Sequence, residues 1–297
     1  MARLRLAAVI ASAAMSLALY SAALGQAIVV GAKDFTEQLL VAEMTTQLLQ
    51  ASGFSAHKGT GFGTVGVRTL QESGIIDLYW EYTGTSLTAF NQITEKLSPE
   101  EGYLRVKALD AQRGIVWLAP SKVNNTYALA MRGADAAARG IHSISDLATK
   151  VRSGDSMRLA STAEFITRSD GLKPLQQTYR FEFMLGNVVG MDPGAVYNAL
   201  RREKEFEVGV VFATDGRISA LGLSVLQDDK RFFPSYLMTP VVREVTLARH
   251  PTIEVILERL SAQLDTETMA ALNAMVDLQS RKPEEVASEF LRARGLF

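Results

Sequence analysis

Apolar and polar positions change period several times along this chain. From Leu6 to about Leu24 it is almost continuously apolar and alanine-rich, with Arg3 and Arg5 ahead of the run. In "IVVGAKDFTEQLLVAEMTTQLLQASG" a short apolar run, Ile28-Val29-Val30, predicts a buried strand. A loop and then a helix follow, the helix carrying Leu40, Met44 and Leu48 on one face at a spacing of four. Asp34 with Glu37 three residues later fits a capping box at its start, and Gly53 closes it. Lys33 therefore sits where a strand ends and a helix N-terminus begins, the usual address for ligand contacts in open α/β sheets.

The alternation continues. "TVGVRTLQES" reads as a helix stopped by Gly74, followed by the strand "IIDLYW"; "IVWLA" and "TYALAMR" read as further strands. "SISDLATKVRSG" is a capped short helix, "MRLAST" a strand, "DPGAVYNALRRE" a helix with Pro193 near its start, and "FEVGVVFATDG" a strand. From about Val241 the pattern is mostly helical. Strands alternating with helices predict parallel α/β sheets covered on both faces. No internal repeat and no low-complexity linker interrupts the chain, so lobe boundaries are expected where extended chain crosses, near 128–132 and 234–240. This assigns 28–130 with 237–297 to one lobe and 131–236 to a second.

Composition agrees with two lobes. The 297 residues exceed one small core and suit two units of roughly 100–150 residues. With 47% hydrophobic and 21% charged residues the chain has an ordinary globular composition. The N-terminal run ends in Gly25-Gln26-Ala27, small residues at the positions a signal peptidase reads, so residues 1–27 are expected to be a cleaved signal peptide. The alternative is an uncleaved anchor, against which stands the lack of any polar linker before Ile28. The sequence has no cysteine, which removes disulfides, thiolate metal sites, cysteine nucleophiles and lipid attachment through an N-terminal cysteine. A periplasmic protein without a lipid anchor is the expectation. Its formal charge, −1 for the whole chain, becomes more negative once Arg3 and Arg5 leave, so it has no general pull toward nucleic acid or anionic lipid.

Motifs for chemistry are sparse. Gly61, Gly63 and Gly66 formally match a dinucleotide-binding fingerprint, but a weak strand precedes them and no acidic residue ends a second strand about 20 residues on. A glycine loop that lets backbone approach a ligand or the neighbouring strand fits better. His57, His142 and His250 are far apart and have no metal-ligand spacing, and there is no nucleophile elbow or P-loop. Neither catalysis nor a metal or cofactor is expected.

The aromatic residues are more informative. Tyr82 precedes Thr83-Gly84-Thr85, Tyr127 follows Asn124-Asn125-Thr126, Phe212 precedes Thr214-Asp215-Gly216, and Tyr236 lies in "FFPSYLMTP". Each stands at or near the end of an apolar run, where turn residues begin. For any one of them the plain account is a ring capping the core; the recurrence points to a shared site.

The blocks "GAKDFTEQLL", "DLYWEYTGT", "NNTYALAMR", "EFITRSDGL", "VVFATDGRI" and "DDKRFFPSYLMTPVVR" together resemble the periplasmic substrate-binding proteins of quaternary-amine ABC importers, in their osmoprotectant-binding branch. The resemblance runs in order from about residue 28 to the end of the chain. It implies a two-lobed α/β clamshell of the type II binding-protein class, each lobe a mostly parallel sheet flanked by helices, with two chain crossings and the ligand in the cleft. It further implies a monomer that captures a glycine betaine-like solute and hands it to an ABC permease. In such proteins an aromatic cage holds the ammonium head, and the matching positions are Tyr82, Tyr127, Phe212 and Tyr236. Lys33, Arg168 and Thr85 match the residues that hold the carboxylate. Phe212 departs from the tyrosine common in betaine binders, which leaves the choice of ligand open. Trp80 and Tyr79 are assigned to packing. A different small solute, or a sensor role without transport, remains the alternative.

Overall fold

In a computed structural model, residues 27–93, 95–202 and 205–297 are described. The expected signal segment lies outside them except for Ala27. Among the described residues no helix is long and apolar enough to cross a membrane.

Among the described residues ten strands follow one another as β1 (Ile28–Lys33), β2 (Ala56–Phe62), β3 (Leu78–Tyr82), β4 (Ile115–Trp117), β5 (Tyr127–Arg132), β6 (Leu159–Ser161), β7 (Val188–Gly190), β8 (Val208–Phe212), β9 (Leu223–Val225) and β10 (Met238–Arg243). They form two five-stranded sheets, β2-β1-β3-β10-β4 and β7-β6-β8-β5-β9. The chain enters the second sheet at Tyr127, just upstream of the 130/131 position expected from sequence, and returns at Met238.

Each sheet has four strands running one way and one against them. β10 is antiparallel to β3 and β4, and β5 is antiparallel to β8 and β9. The sequence predicted parallel sheets because period alone does not report direction. The two reversed strands are those on which the chain arrives from the other sheet. Consequently the forward strands end at the cleft, with Lys33, Tyr82 and Phe212 as last residues of β1, β3 and β8, while β5 begins there with Tyr127. Register then sets Tyr127 opposite Phe212 and Met238 opposite Tyr82.

The two crossings run side by side. Asn124 bridges Leu237, the Met238 N–H donates to the Val123 carbonyl at 3.0 Å, and the Asn125 N–H donates to the Tyr236 carbonyl at 3.1 Å. Thr83 joins them, its N–H donating to the Leu237 carbonyl and its Oγ1 accepting from the Leu237 N–H at 3.0 Å.

β3 is buried along its whole length because it is central and covered on both faces. Trp80 donates its indole N–H to Thr45 Oγ1 at 2.9 Å, and Tyr79 donates its hydroxyl to Glu81 at 2.9 Å, so both are packing residues with their polar tips satisfied. Asp110 ties the first sheet to the turn after β3. It accepts from both Arg68 terminal nitrogens at 2.7 and 2.8 Å, from Trp117 at 2.8 Å and from Ser86 at 3.1 Å.

The capping box expected at Asp34 and Glu37 does not form. Helix Thr36–Ala51 has Phe35 as N-cap with no side-chain bond, and Glu37 is buried inside the molecule. The cap expected at "SISDLATKVRSG" does form, as a box between Ser143 and Asp146. Gly61 lies within β2 at a positive φ of 87°, beside the register shift between Gly31 and Lys33, so the glycine pattern serves an irregular strand and the helix start at Gly63.

Asp110→Ala takes the bidentate carboxylate from the buried Arg68 guanidinium and leaves it only the exposed Glu72, 2.7 Å from its Nε. Denaturant unfolding is expected to show a loss of about 3–5 kcal/mol.

Candidate functional site

A cavity of about 420 Å³ opens between the two sheets. Lys33, Tyr82, Thr85, Tyr127, Arg168, Phe212 and Tyr236, all seven residues singled out in the sequence, line it. Phe35, Asn125, Glu164 and Asp192 also line it.

The rings lie close together. Tyr127 is 5.1 Å from Phe212 between centroids and 5.6 Å from Tyr236, nearly perpendicular to the latter at 86°. Phe35 stacks on Phe212 at 6.0 Å with planes 2° apart, and on Tyr82 at 6.4 Å. Phe35 thus links two of the expected rings and is a fifth aromatic in the wall. It sits in "KDFTEQ", at the end of an apolar run beside Asp34, the same signal that marked the other four.

Gly84 explains how Tyr236 comes so near. A Cβ there would stand 2.7 Å from two Tyr236 ring carbons and 2.9 Å from the Ser235 carbonyl oxygen. The short helical turn Thr83–Thr85 therefore carries glycine because the ring lies flush against its backbone.

Both basic groups have internal partners. Lys33 Nζ is 2.5 Å from Glu81 Oε1 and 4.9 Å from the Tyr82 ring centroid. One of its three N–H donors is spent on Glu81, and the others remain for a further acceptor. Arg168 grips Asp170 with two parallel bonds of 2.6 and 2.7 Å, bonds Glu164 at 3.0 Å, and lies 5.5 Å from the Tyr127 centroid. Asp170 also accepts from the Tyr236 hydroxyl and, at 2.8 Å, from Thr88. Burial alone would raise the Asp170 carboxyl, but Arg168, Tyr236 and Thr88 hold it below the ordinary range. At the cavity mouth, Thr64 donates to Glu164 at 3.0 Å across the two sheets.

Behind Tyr82 lies Glu37, absent from the sequence-based site. Its Oε1 accepts from the Tyr82 hydroxyl at 2.6 Å and from Asn125 Nδ2 at 2.8 Å, and its Oε2 is 3.4 Å from Asn273 Nδ2. Burial pushes its carboxyl up, against the hydrogen bonds it accepts. Burial also drives the Tyr82 phenol well above its usual value, reinforced by Glu37. Sequence reasoning spent Glu37 on a helix cap and left Glu81 without a role.

Phe212 carries no ring hydroxyl, and its backbone N–H donates to Tyr197 Oη at 3.1 Å. Its ring keeps a π face toward Phe35 and Tyr127. Among the described residues, no group of three acidic, histidine or cysteine side chains gathers to hold a metal ion.

The family described as the substrate-binding domain of ABC-type glycine betaine transport systems matches residues 26–293. A glycine-betaine-binding protein of Pseudomonas aeruginosa is 42% identical over 286 residues, covering 94% of this chain and 92% of that protein. An ergothioneine transport permease/ergothioneine binding protein of Helicobacter pylori is 33% identical over 273 residues, 91% of this chain and 48% of that longer protein. The structure of apo YehZ from Escherichia coli superposes with a TM-score of 0.69 at 30% identity, covering 92% of this chain and 100% of that one.

Two measurements probe the geometry. Gly84→Ala forces the Tyr236 ring off the turn, and thermal or denaturant unfolding should show about 1–3 kcal/mol of destabilisation. For Asp170, a depressed folded-state pKa means that its contribution is present above the unfolded carboxylate range and is lost as pH falls through the folded value. Asp170→Asn should therefore be markedly less stable than the parent at neutral pH, with the gap closing as pH drops below about 4.

Proposed function

The chain belongs to the substrate-binding family of ABC-type glycine betaine transport systems and has its two-lobed type II α/β fold, and from that premise we propose how its cleft works. A trimethylammonium solute of the glycine betaine kind lies among Tyr82, Tyr127, Phe212 and Tyr236, with Phe35 completing the wall. Lys33, Arg168 and Thr85 take its carboxylate. The lobes are β1–β4 with β10 and the C-terminal helices, and β5–β9, hinged at the paired crossings. The observation that carries the reading is the convergence of these seven residues, drawn from six separated sequence blocks, on one cavity with ring centroids about 5–6 Å apart.

The chemistry follows from the ligand. A trimethylammonium group carries full charge and no N–H, so hydrogen bonds cannot capture it, and removing it from water needs compensation. Aromatic faces offer negative quadrupole potential on a surface that accepts methyl groups, at roughly 0.5–2 kcal/mol per ring. A carboxylate is suited by the spare lysine N–H donors, the guanidinium edge and a hydroxyl that fixes its angle. Phe212 keeps the π face that this requires. Because the contacts come from both lobes, bound solute favours the closed form. In this reading the closed protein, a periplasmic monomer, is what the permease receives.

Titration calorimetry against glycine betaine, choline, carnitine and ergothioneine tests the proposal. One or more trimethylammonium solutes should bind, and Tyr127→Leu, which keeps an apolar side chain but loses the π face, should weaken that binding about three- to thirtyfold. Binding only of solutes without an onium charge would overturn it.

A further inference from the structure

Glu37 stands one layer behind the cavity wall. It is 2% exposed and reaches no solute directly, yet two cavity-lining side chains, Tyr82 and Asn125, both spend a donor on the same oxygen, Oε1. Asn125 Nδ2 keeps a second N–H, and the other polar atoms on the two side chains are acceptors. The Asn125 Oδ1 is buried and takes no hydrogen bond from the protein among the described residues. The Tyr82 hydroxyl oxygen accepts from Gln38 Nε2 at 3.0 Å.

An onium head has neither an acceptor for O–H or N–H groups nor a donor of its own. Any donor turned toward it would be buried unsatisfied, at about 1–3 kcal/mol each. Drawing the phenolic O–H and one amide N–H back onto Glu37 leaves the Tyr82 ring, with its donor turned away, as the surface here that suits methylated nitrogen. A phenol whose proton is held by a carboxylate also carries a more electron-rich ring. Lys33 is the cation already near that ring, and Glu81 neutralises it. Tyr236 repeats the arrangement by donating its hydroxyl to Asp170.

We propose that Glu37 is a positioning residue for charge selectivity: acting through Tyr82 and Asn125, it withdraws donors from the cavity wall and makes that wall prefer a quaternary ammonium over an uncharged group of the same shape. This rests on the betaine reading above.

The test compares glycine betaine with tert-butylacetate, in which carbon replaces the ammonium nitrogen. Affinities are measured by titration calorimetry and, for the weaker ligand, by ligand-observed NMR. Glu37→Gln keeps the size and removes the charge; Tyr82→Phe keeps the ring and cuts the link. Each should reduce the betaine-to-isostere affinity ratio by about tenfold, and the double variant should lose little more than either single change, since both cut one connection. A ratio unchanged in both variants, with the two ligands weakened together, would reduce Glu37 to a structural support and overturn the inference. If Glu37→Gln does not fold by circular dichroism and thermal melting, the ratio in Tyr82→Phe decides alone. A parent protein that binds neither glycine betaine nor any other onium solute would instead overturn the betaine reading, a result separable from the first because it concerns the unmutated chain.

Discussion

The bidentate pair between Arg168 and Asp170 is the contact around which the cleft is arranged. Both side chains are 7% exposed, so neither is tolerable there without the other. Asp170 also receives the Tyr236 hydroxyl from the crossing segment and Thr88 from the turn after β3, while Arg168 lies against Tyr127 and bonds Glu164 at the mouth. One buried carboxylate thus joins material from both sheets and from the chain between them. Thr88, Tyr236 and Arg168 hold their places because each satisfies part of a charge that burial would otherwise neutralise.

The cavity charges form a layered arrangement. The inner layer consists of rings and the ends of Lys33 and Arg168; the outer layer consists of Glu37, Glu81 and Asp170, each bonded forward to an inner residue. Every outer member is a carboxylate and every forward bond is donated by the inner residue. The donors facing those carboxylates are engaged, and the wall still offers π surface, N–H groups at the basic end and the Tyr127 and Thr85 hydroxyls, with Glu164 and Asp192 also lining it.

Much of this was legible in the sequence, for identifiable reasons. Tyr82, Tyr127, Phe212 and Tyr236 stand at the ends of apolar runs or in loops beside them, which singled them out, and the family resemblance assigned them to the cleft. Phe35 carried the same mark, although it was not singled out. The reversed direction of β5 and β10 left no trace in the pattern, because a strand has the same alternation either way round. Glu37 misled because Asp-x-x-Glu before an apolar helix fits a cap, whereas what decided its orientation was the buried Tyr82 hydroxyl 45 positions away in the chain. Glu81 and Asp170 likewise depend on partners distant in sequence or on burial, neither of which a local window contains.

The reversed strands have a mechanical consequence. Because β5 and β10 start at the cleft, the crossing segments are themselves part of the cavity wall, and Asn125, Tyr127 and Tyr236 lie on or beside the paired backbone that bends if the lobes part. Such a bend reorients those three side chains directly, without a lever or relay. In the proposed betaine-binding reading, closing the protein and assembling the cage are then a single coordinate, and a half-open molecule offers a solute only half a binding site.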